Sequence, residues 1–221
     1  MSYHSRRSPV SGTFLSGLVA GGLLTAAVAA AADEEPEITG EAVYQYCESC
    51  HGKRGAGGDG GKYPRIAGLP QAYIDKQLHD FKARRRVNKP MIPVFKHHRF
   101  DAEVIDLVSA HIAAMSSPDL GLWPYEPSSD ALAAYASRAA LADAGGAIYH
   151  DRCSQCHGAD GRGNAEQGAP PLVNQYPAYL RKQIGDFATG QREHREANHC
   201  GSIGPAEAEA VILRLVELGK D

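Results

Sequence analysis

Residues 47–51 read Cys-Glu-Ser-Cys-His, and residues 153–157 read Cys-Ser-Gln-Cys-His. Two cysteines separated by two residues and followed at once by histidine have the spacing for covalent attachment of c-type haem. The thiols bond to the vinyl groups of the porphyrin, and the histidine supplies one axial nitrogen to the iron. The repeated motif therefore predicts two haem c groups. The predicted attachment and proximal residues are Cys47, Cys50, His51, Cys153, Cys156 and His157.

Other uses of a Cys-x-x-Cys motif fit this sequence less well. A thioredoxin-like redox pair needs no histidine after it and lies in a strand-rich unit, which the sequence does not predict. A zinc site built from two cysteine pairs would leave both motif histidines without a role. A structural disulfide across two residues is strained and rare. Two motifs in register favour haem over all three alternatives.

The two motifs belong to an internal repeat. Cys153 lies 106 residues after Cys47, and identities continue at this offset without a gap. The residues that recur are Gly52, Gly55, Gly57, Pro64, Ala72, Tyr73, Lys76, Gln77, Asp80 and Phe81. The chain is a duplicated unit, and each copy is a small domain that a cofactor would help to stabilise. We predict domain 1 over residues 33–115, a linker over 116–130 and domain 2 over 131–221.

The predicted secondary structure is helical in both domains, and no stretch alternates as a strand does. The predicted helices begin at Glu41, Pro70, Asp101, Gly145, Pro177 and Pro205. Asp101 is expected to cap its helix and Pro205 to occupy a first helical position. Three prolines and a glycine interrupt residues 116–130 and predict an extended linker across the domain junction, with Trp123 and Tyr125 packed there.

The first 32 residues predict a secretory signal. Arg6 and Arg7 precede an apolar stretch over residues 14–32, and acidic residues follow. We therefore predict export to the periplasm, with membrane contact only if this segment is retained as an anchor, because it is just long enough to span a bilayer. The formal net charge of −3 at pH 7 offers no basic surplus for binding nucleic acid.

Each haem iron needs a sixth ligand unless it stays five-coordinate. In domain 1, Met91 lies just ahead of the last helix, and a thioether ligand raises the haem potential. Domain 2 contains no methionine. His199 is the predicted ligand there, Cys200 is a rival as a thiolate, and His194 keeps Met91's distance to the last helix. A second haem that is five-coordinate or binds water is the remaining possibility.

These motifs resemble the dihaem cytochrome c4 family and the related cytochrome subunits of sulfide-oxidising flavocytochromes, over residues 36–219. The similarity also includes the Tyr73–Phe81 and Tyr179–Phe187 segments and the turn that ends at Arg192. The resemblance implies an all-α fold of two tandem class I cytochrome c domains, each wrapped around one covalent haem with His/Met ligation. Domain 2 departs from that ligation because it lacks the methionine.

The predicted function is that of a periplasmic dihaem c-type cytochrome. It would transfer single electrons from a periplasmic dehydrogenase or flavoprotein to an oxidase or a small cytochrome, since no substrate pocket with acid–base residues is evident. A haem-bearing subunit that docks to one catalytic partner is a variant of this role. The alternative is a haem enzyme that oxidises a small sulfur compound at the second haem through Cys200. A looser resemblance to dihaem thiosulfate dehydrogenases, which use a His/Cys haem, motivates that alternative.

Overall fold

The computed structural model describes residues 37–194 and 203–220, which fold as helices joined by loops. The helices of domain 1 are α1 Gly40–His51, α2 Gln71–Lys82, α3 Ile92–His97 and α4 Ala102–Ala114. Helix α5 Ser129–Ala134 begins in the last two residues of the predicted linker, and domain 2 continues with α6 Arg138–Arg152, α7 Ser154–His157, α8 Pro177–Ala188 and α9 Pro205–Leu218. Only isolated bridges, and no strands, occur in these two ranges, which confirms the predicted all-α class. None of the described helices is long and apolar enough to cross a bilayer.

In each domain the helix that leads to the Cys motif crosses the last helix at a glycine. A Cβ atom on Gly40 of α1 would lie 2.2 Å from the Leu107 carbonyl oxygen of α4. A Cβ atom on Gly145 of α6 would lie 2.0 Å from the Ala210 carbonyl oxygen of α9. Because no side chain fits at such distances, glycine is what allows the two backbones to touch.

Several predicted helix ends are confirmed, and two details are corrected. The Asp101 carboxylate accepts a 3.1 Å hydrogen bond from the Val104 amide, and α9 begins at Pro205. However, α6 begins at Arg138, well before the predicted Gly145, because the Ser137 hydroxyl caps it by accepting a bond from Ala140. Helix α3, the short helix that directly follows Met91, was not predicted from the sequence.

The two domains reach the Cys motif by different helical paths. In domain 1, α1 continues unbroken through the motif to His51. Three residues separate Tyr149 from Cys153 in domain 2, whereas two separate Tyr44 from Cys47 in domain 1. The helix of domain 2 breaks at Cys153, whose φ is −122°. Tyr44 and Tyr149 nevertheless donate equivalent hydrogen bonds, of 2.7 and 2.6 Å, to the carbonyls of Gly52 and Gly158. The break absorbs the additional residue and restores the register of the motif.

The linker packs on domain 2. The Asn174 side chain accepts a bond from the Leu120 amide and donates to the Pro118 carbonyl. The Tyr125 hydroxyl donates a 2.5 Å bond to the buried carboxylate of Glu209. The prediction that Trp123 packs into the domain junction is wrong, since its ring is 41% exposed and lies 3.1 Å from the ammonium of Lys220.

Candidate haem-binding sites

The two motif histidines have the same environment. Nδ1 of His51 lies 2.9 Å from the Pro64 carbonyl oxygen, and Nδ1 of His157 lies 2.8 Å from that of Pro170. A carbonyl can only accept, so Nδ1 carries the proton and the lone pair is on Nε2. Burial lowers the pKa of both imidazoles, which favours the neutral form. Each domain therefore presents one neutral, oriented imidazole nitrogen, which is the form that binds a metal.

A glycine turn holds each histidine in place. The amides of Gly57 and Gly163 donate 2.8 Å bonds to the carbonyls of His51 and His157. Both glycines have a positive φ, 79° and 82°, which other residues rarely adopt. A Cβ atom on Gly57 would also lie 2.4 Å from the Tyr63 carbonyl oxygen. The repeated glycines found in the sequence are thus part of the support of the histidine.

The motif cysteines lie beside these histidines, and none of the four is part of a disulfide. In domain 1, Cys47, Cys50 and His51 all lie on α1 at spacings of three and four residues, which places them on one helix face. Burial, and then the neighbouring Cys50, raise the pKa of the Cys47 thiol to about 12. Two thiols and one imidazole on one face match the needs of a covalently attached porphyrin.

Met91, the predicted sixth ligand of domain 1, is half-buried in a 3-10 turn over Lys89–Met91. The following helix α3 is anchored by Phe95, whose ring lies 6.2 Å from Phe81 and 5.2 Å from Phe100. The loop that carries Met91 is therefore fixed to the core of domain 1. By contrast, His98 is exposed and stacks on Tyr46, as expected for a surface histidine.

In domain 2 the structure places one of the three candidate ligands near the motif histidine. The ring centroid of His194 lies 6.3 Å from that of His157. The Phe187 ring meets the His194 ring edge-on at 5.0 Å. His199, the residue predicted from sequence, and Cys200 both lie outside the described residues.

Arg86 and Arg192 form a pseudo-symmetric pair between the domains. Arg86 donates 3.0 Å bonds to the Tyr179 hydroxyl and to Gln183 of domain 2. In the reverse direction, Arg192 donates to the Tyr73 hydroxyl at 2.9 Å and to Gln77 at 3.0 Å. Arg192 was recognised in the sequence as part of the repeat but Arg86 was not, although the offset of 106 aligns the two.

The partners of these two arginines are chiefly neutral oxygens and rings. Arg86 lies 4.5 Å above the Phe81 ring, and Arg192 lies 4.7 Å above the Phe187 ring. Neither arginine forms a salt bridge with a described carboxylate, and Asp80 is bound by Lys76 and Arg85 instead. A polar cavity of about 60 Å³ lies beside the two guanidinium groups, and its lining also includes Asp80 and Glu193. Two adjacent cations with neutral partners form a site suited to carboxylates such as haem propionates.

The pKa values of the groups around this pair reflect the same charges. Burial alone would raise the pKa of Tyr73, but Arg192 and Arg86 reverse this and lower it below its ordinary value. Burial likewise acts to lower the pKa of Arg192, yet the neighbouring Tyr73 and Tyr179 raise it overall. Arg192 therefore stays charged at the junction.

Comparison with known proteins agrees with this architecture. The cytochrome c family matches residues 38–116 and 142–210. A thiosulfate dehydrogenase electron acceptor from Stutzerimonas stutzeri is 30% identical over 171 residues, which cover 77% of this chain and 76% of that protein. A cytochrome c4 from Pseudomonas aeruginosa is 30% identical over 69% of this chain and 71% of the relative.

Solved structures show the same fold. Reduced cytochrome c4 from Pseudomonas stutzeri superposes with a TM-score of 0.63 at 23% identity, covering 80% of this chain and 95% of that one. A thiosulfate dehydrogenase, TsdBA from Marichromatium purpuratum, superposes with a TM-score of 0.61 at 27% identity, covering 80% of this chain and 39% of that one. The chain therefore belongs to the cytochrome c family, as a protein of two tandem class I domains related to the dihaem cytochromes c4.

Proposed function

We propose that the chain binds two covalent haem c groups and carries single electrons between redox proteins. The observation that carries this proposal is the pair of neutral imidazoles, each oriented by a proline carbonyl and each adjoining a Cys-x-x-Cys motif. The thioether bonds would form at Cys47 and Cys50 and at Cys153 and Cys156. His51 and His157 would be the proximal ligands, and Met91 the sixth ligand of domain 1.

The chain's own residues would orient the iron ligands and control their basicity. The bond from Nδ1 of His51 to Pro64 fixes the tautomer and the ring orientation, and makes Nε2 a better donor. His157 and Pro170 do the same in domain 2. Bound haem supplies a one-electron iron couple, whose potential depends on the axial ligands and on burial.

The arginine pair would hold the haem propionates and fix the two domains to each other. Its cross-domain bonds join the α2 and α8 regions at one junction. Arg65 adds a second tie, because its buried side chain donates to the Asn174 carbonyl at 2.7 Å. The side-chain amide of Gln175 in turn donates a 2.9 Å hydrogen bond to the Arg65 carbonyl oxygen. A fixed junction would keep the distance between the two haems constant, which electron transfer between them requires.

The relatives support redox proteins as partners. Two matched relatives are named as electron acceptors of thiosulfate dehydrogenase, and another is the FixP subunit of a cbb3-type oxidase. We propose a periplasmic dehydrogenase, one acting on thiosulfate included, as the donor, and an oxidase or a small cytochrome as the acceptor. Residues 1–32 would direct export and be removed, leaving domain 1 over 33–115, the linker over 116–130 and domain 2 over 131–221.

A reduction assay tests the carrier function. The purified, fully loaded protein in its ferric state is mixed with thiosulfate alone, and separately with thiosulfate and a catalytic amount of thiosulfate dehydrogenase. We expect the reduced haem spectrum to appear quickly only when the dehydrogenase is present. Rapid reduction by thiosulfate alone would contradict the carrier function and favour the sulfur-oxidising alternative through Cys200.

A further inference from the structure

We propose that His194 is the sixth ligand of the second haem, so that domain 2 holds a bis-histidine centre. The proposal rests on the proposed function, because it assumes a haem attached at Cys153 and Cys156. It replaces His199, the ligand predicted from the sequence, with a residue that the structure places next to the proximal histidine.

The spacing of the two rings supports this ligand. An imidazole nitrogen binds a metal ion at about 2 Å, and the ring centre lies about 1 Å beyond it, so two imidazoles on opposite sides of one iron have centroids about 6 Å apart. The measured separation of the His157 and His194 centroids is 6.3 Å. The planes are inclined by 60°, which axial ligation permits, because each ring can turn about its bond to the metal. The separation of the two rings is therefore that of two imidazoles bound to one iron ion.

The chain segment before His194 is held firmly. The turn after α8 closes through bonds from the Gly190 amide to Phe187 and from the Arg192 amide to Asp186. The Arg192 side chain is bound to Gln183 of its own domain at 2.6 Å and to Tyr73 of the other domain. The edge contact with Phe187 then orients the His194 ring. The position of His194 thus follows from contacts on both sides of the junction.

The register of the repeat leads to the same residue when it is counted from the last helix. Met91 lies 11 residues before Ala102, the first residue of α4, and His194 lies 11 residues before Pro205, the first residue of α9. His199 is only six residues before Pro205. Counted back from the last helix, His194 therefore takes the position of Met91, and the three residues by which domain 2 is shorter fall between Arg192 and His194.

A different sixth ligand on each haem would give the two haems different redox potentials. A methionine ligand raises the potential of haem relative to a second imidazole. The haem of domain 2 would therefore have the lower potential, and an electron that enters the protein would rest on domain 1. This ordering gives the carrier a direction within one chain.

Electron paramagnetic resonance of the ferric, fully loaded protein tests the proposal. The unaltered protein should give two low-spin signals, one of the His/Met type and one of the bis-imidazole type. His194→Ala should remove the bis-imidazole signal, whereas the matched control His199→Ala and the variant Cys200→Ser should keep it. A bis-imidazole signal that persists in His194→Ala, its loss in His199→Ala, or a thiolate-type signal would each overturn the assignment.

His194→Met covers the case in which the alanine variant fails to retain its second haem. This variant should keep two haems, replace the bis-imidazole signal by a second His/Met signal, and raise the lower of the two potentials. An unchanged bis-imidazole signal or an unchanged lower potential would contradict the proposal. Intact mass distinguishes this failure from failure of the proposed function, because a wrong ligand leaves two haems attached and a wrong function does not.

Discussion

Domains 1 and 2 support the motif histidine in the same way and differ elsewhere. The glycine turn, the histidine-to-proline bond and the arginine recur at the same offset with nearly identical geometry. The approach to the motif and the loop before the last helix differ: α1 is continuous whereas α6 breaks at Cys153, and Met91 has no methionine counterpart in domain 2. Duplication has preserved the support of the motif histidine, while the loop that carries the proposed sixth ligand has diverged.

The largest effect is expected from removing one attachment motif at a time. Cys153→Ala with Cys156→Ala should leave one covalent haem, because a c-type haem is held by its own thioethers. The matched pair Cys47→Ala with Cys50→Ala should leave the other. Intact mass spectrometry after extraction of non-covalent haem counts the groups that remain. Two haems retained in either variant would show that the motifs are not the attachment sites.

The arginine pair tests whether the domains depend on each other. Arg192→Leu removes charged hydrogen bonds to Tyr73 and Gln77 across the junction, and bonds of this kind contribute about 1.5–3 kcal/mol each. Because two such bonds are lost, we expect the free energy of unfolding to fall by about 3–6 kcal/mol, and Arg86→Leu to act similarly. Denaturant titration of the haem-loaded protein measures this change in the free energy of unfolding.

Arg85→Gln is the control for that pair, since its salt bridge to Asp80 lies within domain 1 and its side chain is 61% exposed. It should change the unfolding free energy by less than about 1 kcal/mol. If Arg85→Gln and Arg192→Leu had equal effects, the junction would have no special role.

Adjacent glycines in α6 sharpen the comparison of the two helix crossings. Gly145→Ala would place Cβ 2.0 Å from the Ala210 carbonyl oxygen, and overpacking of this kind costs about 1–3 kcal/mol. Gly146 has no atom within 4 Å of the added Cβ, so Gly146→Ala should stabilise the helix by about 0.5–1 kcal/mol. Gly40→Ala should reduce the stability of domain 1 by a similar amount. Thermal unfolding measures the change in Tm of each variant. Equal Tm changes for Gly145→Ala and Gly146→Ala would contradict a close approach of α6 to α9 at Gly145.

The smallest effect is expected at the two tyrosines that bind the motif carbonyls. Tyr44→Phe and Tyr149→Phe remove the hydroxyls that donate to the Gly52 and Gly158 carbonyls, and each should cost about 0.5–1.5 kcal/mol. The two costs should be alike, because the bonds are alike although the helices differ. A clearly smaller cost for Tyr149→Phe in denaturant titration would mean that the helix break does not restore the register.

Some local features were predictable because neighbouring residues determine them. The helix that Asp101 caps and the one that begins at Pro205 depend on side chains within one turn, and both are confirmed. The start of α6 was placed too late, because the alanine-rich residues before Gly145 carry no strong periodic pattern and the cap at Ser137 was overlooked. The helix break at Cys153 also escaped prediction, since it compensates for one additional residue only when the helix is packed.

The sequence by itself determined the duplicated cytochrome c architecture, because the Cys-x-x-Cys-His motif, the recurring glycines and the helix signals act over short spacings. Only the tertiary structure decided which residues meet across the chain. Arg86 and Arg192 meet partners about a hundred residues away, the linker packs on Asn174 and Glu209, and His194 faces His157. No local pattern encodes such meetings, because they depend on how two folded domains and their loops pack against each other in space.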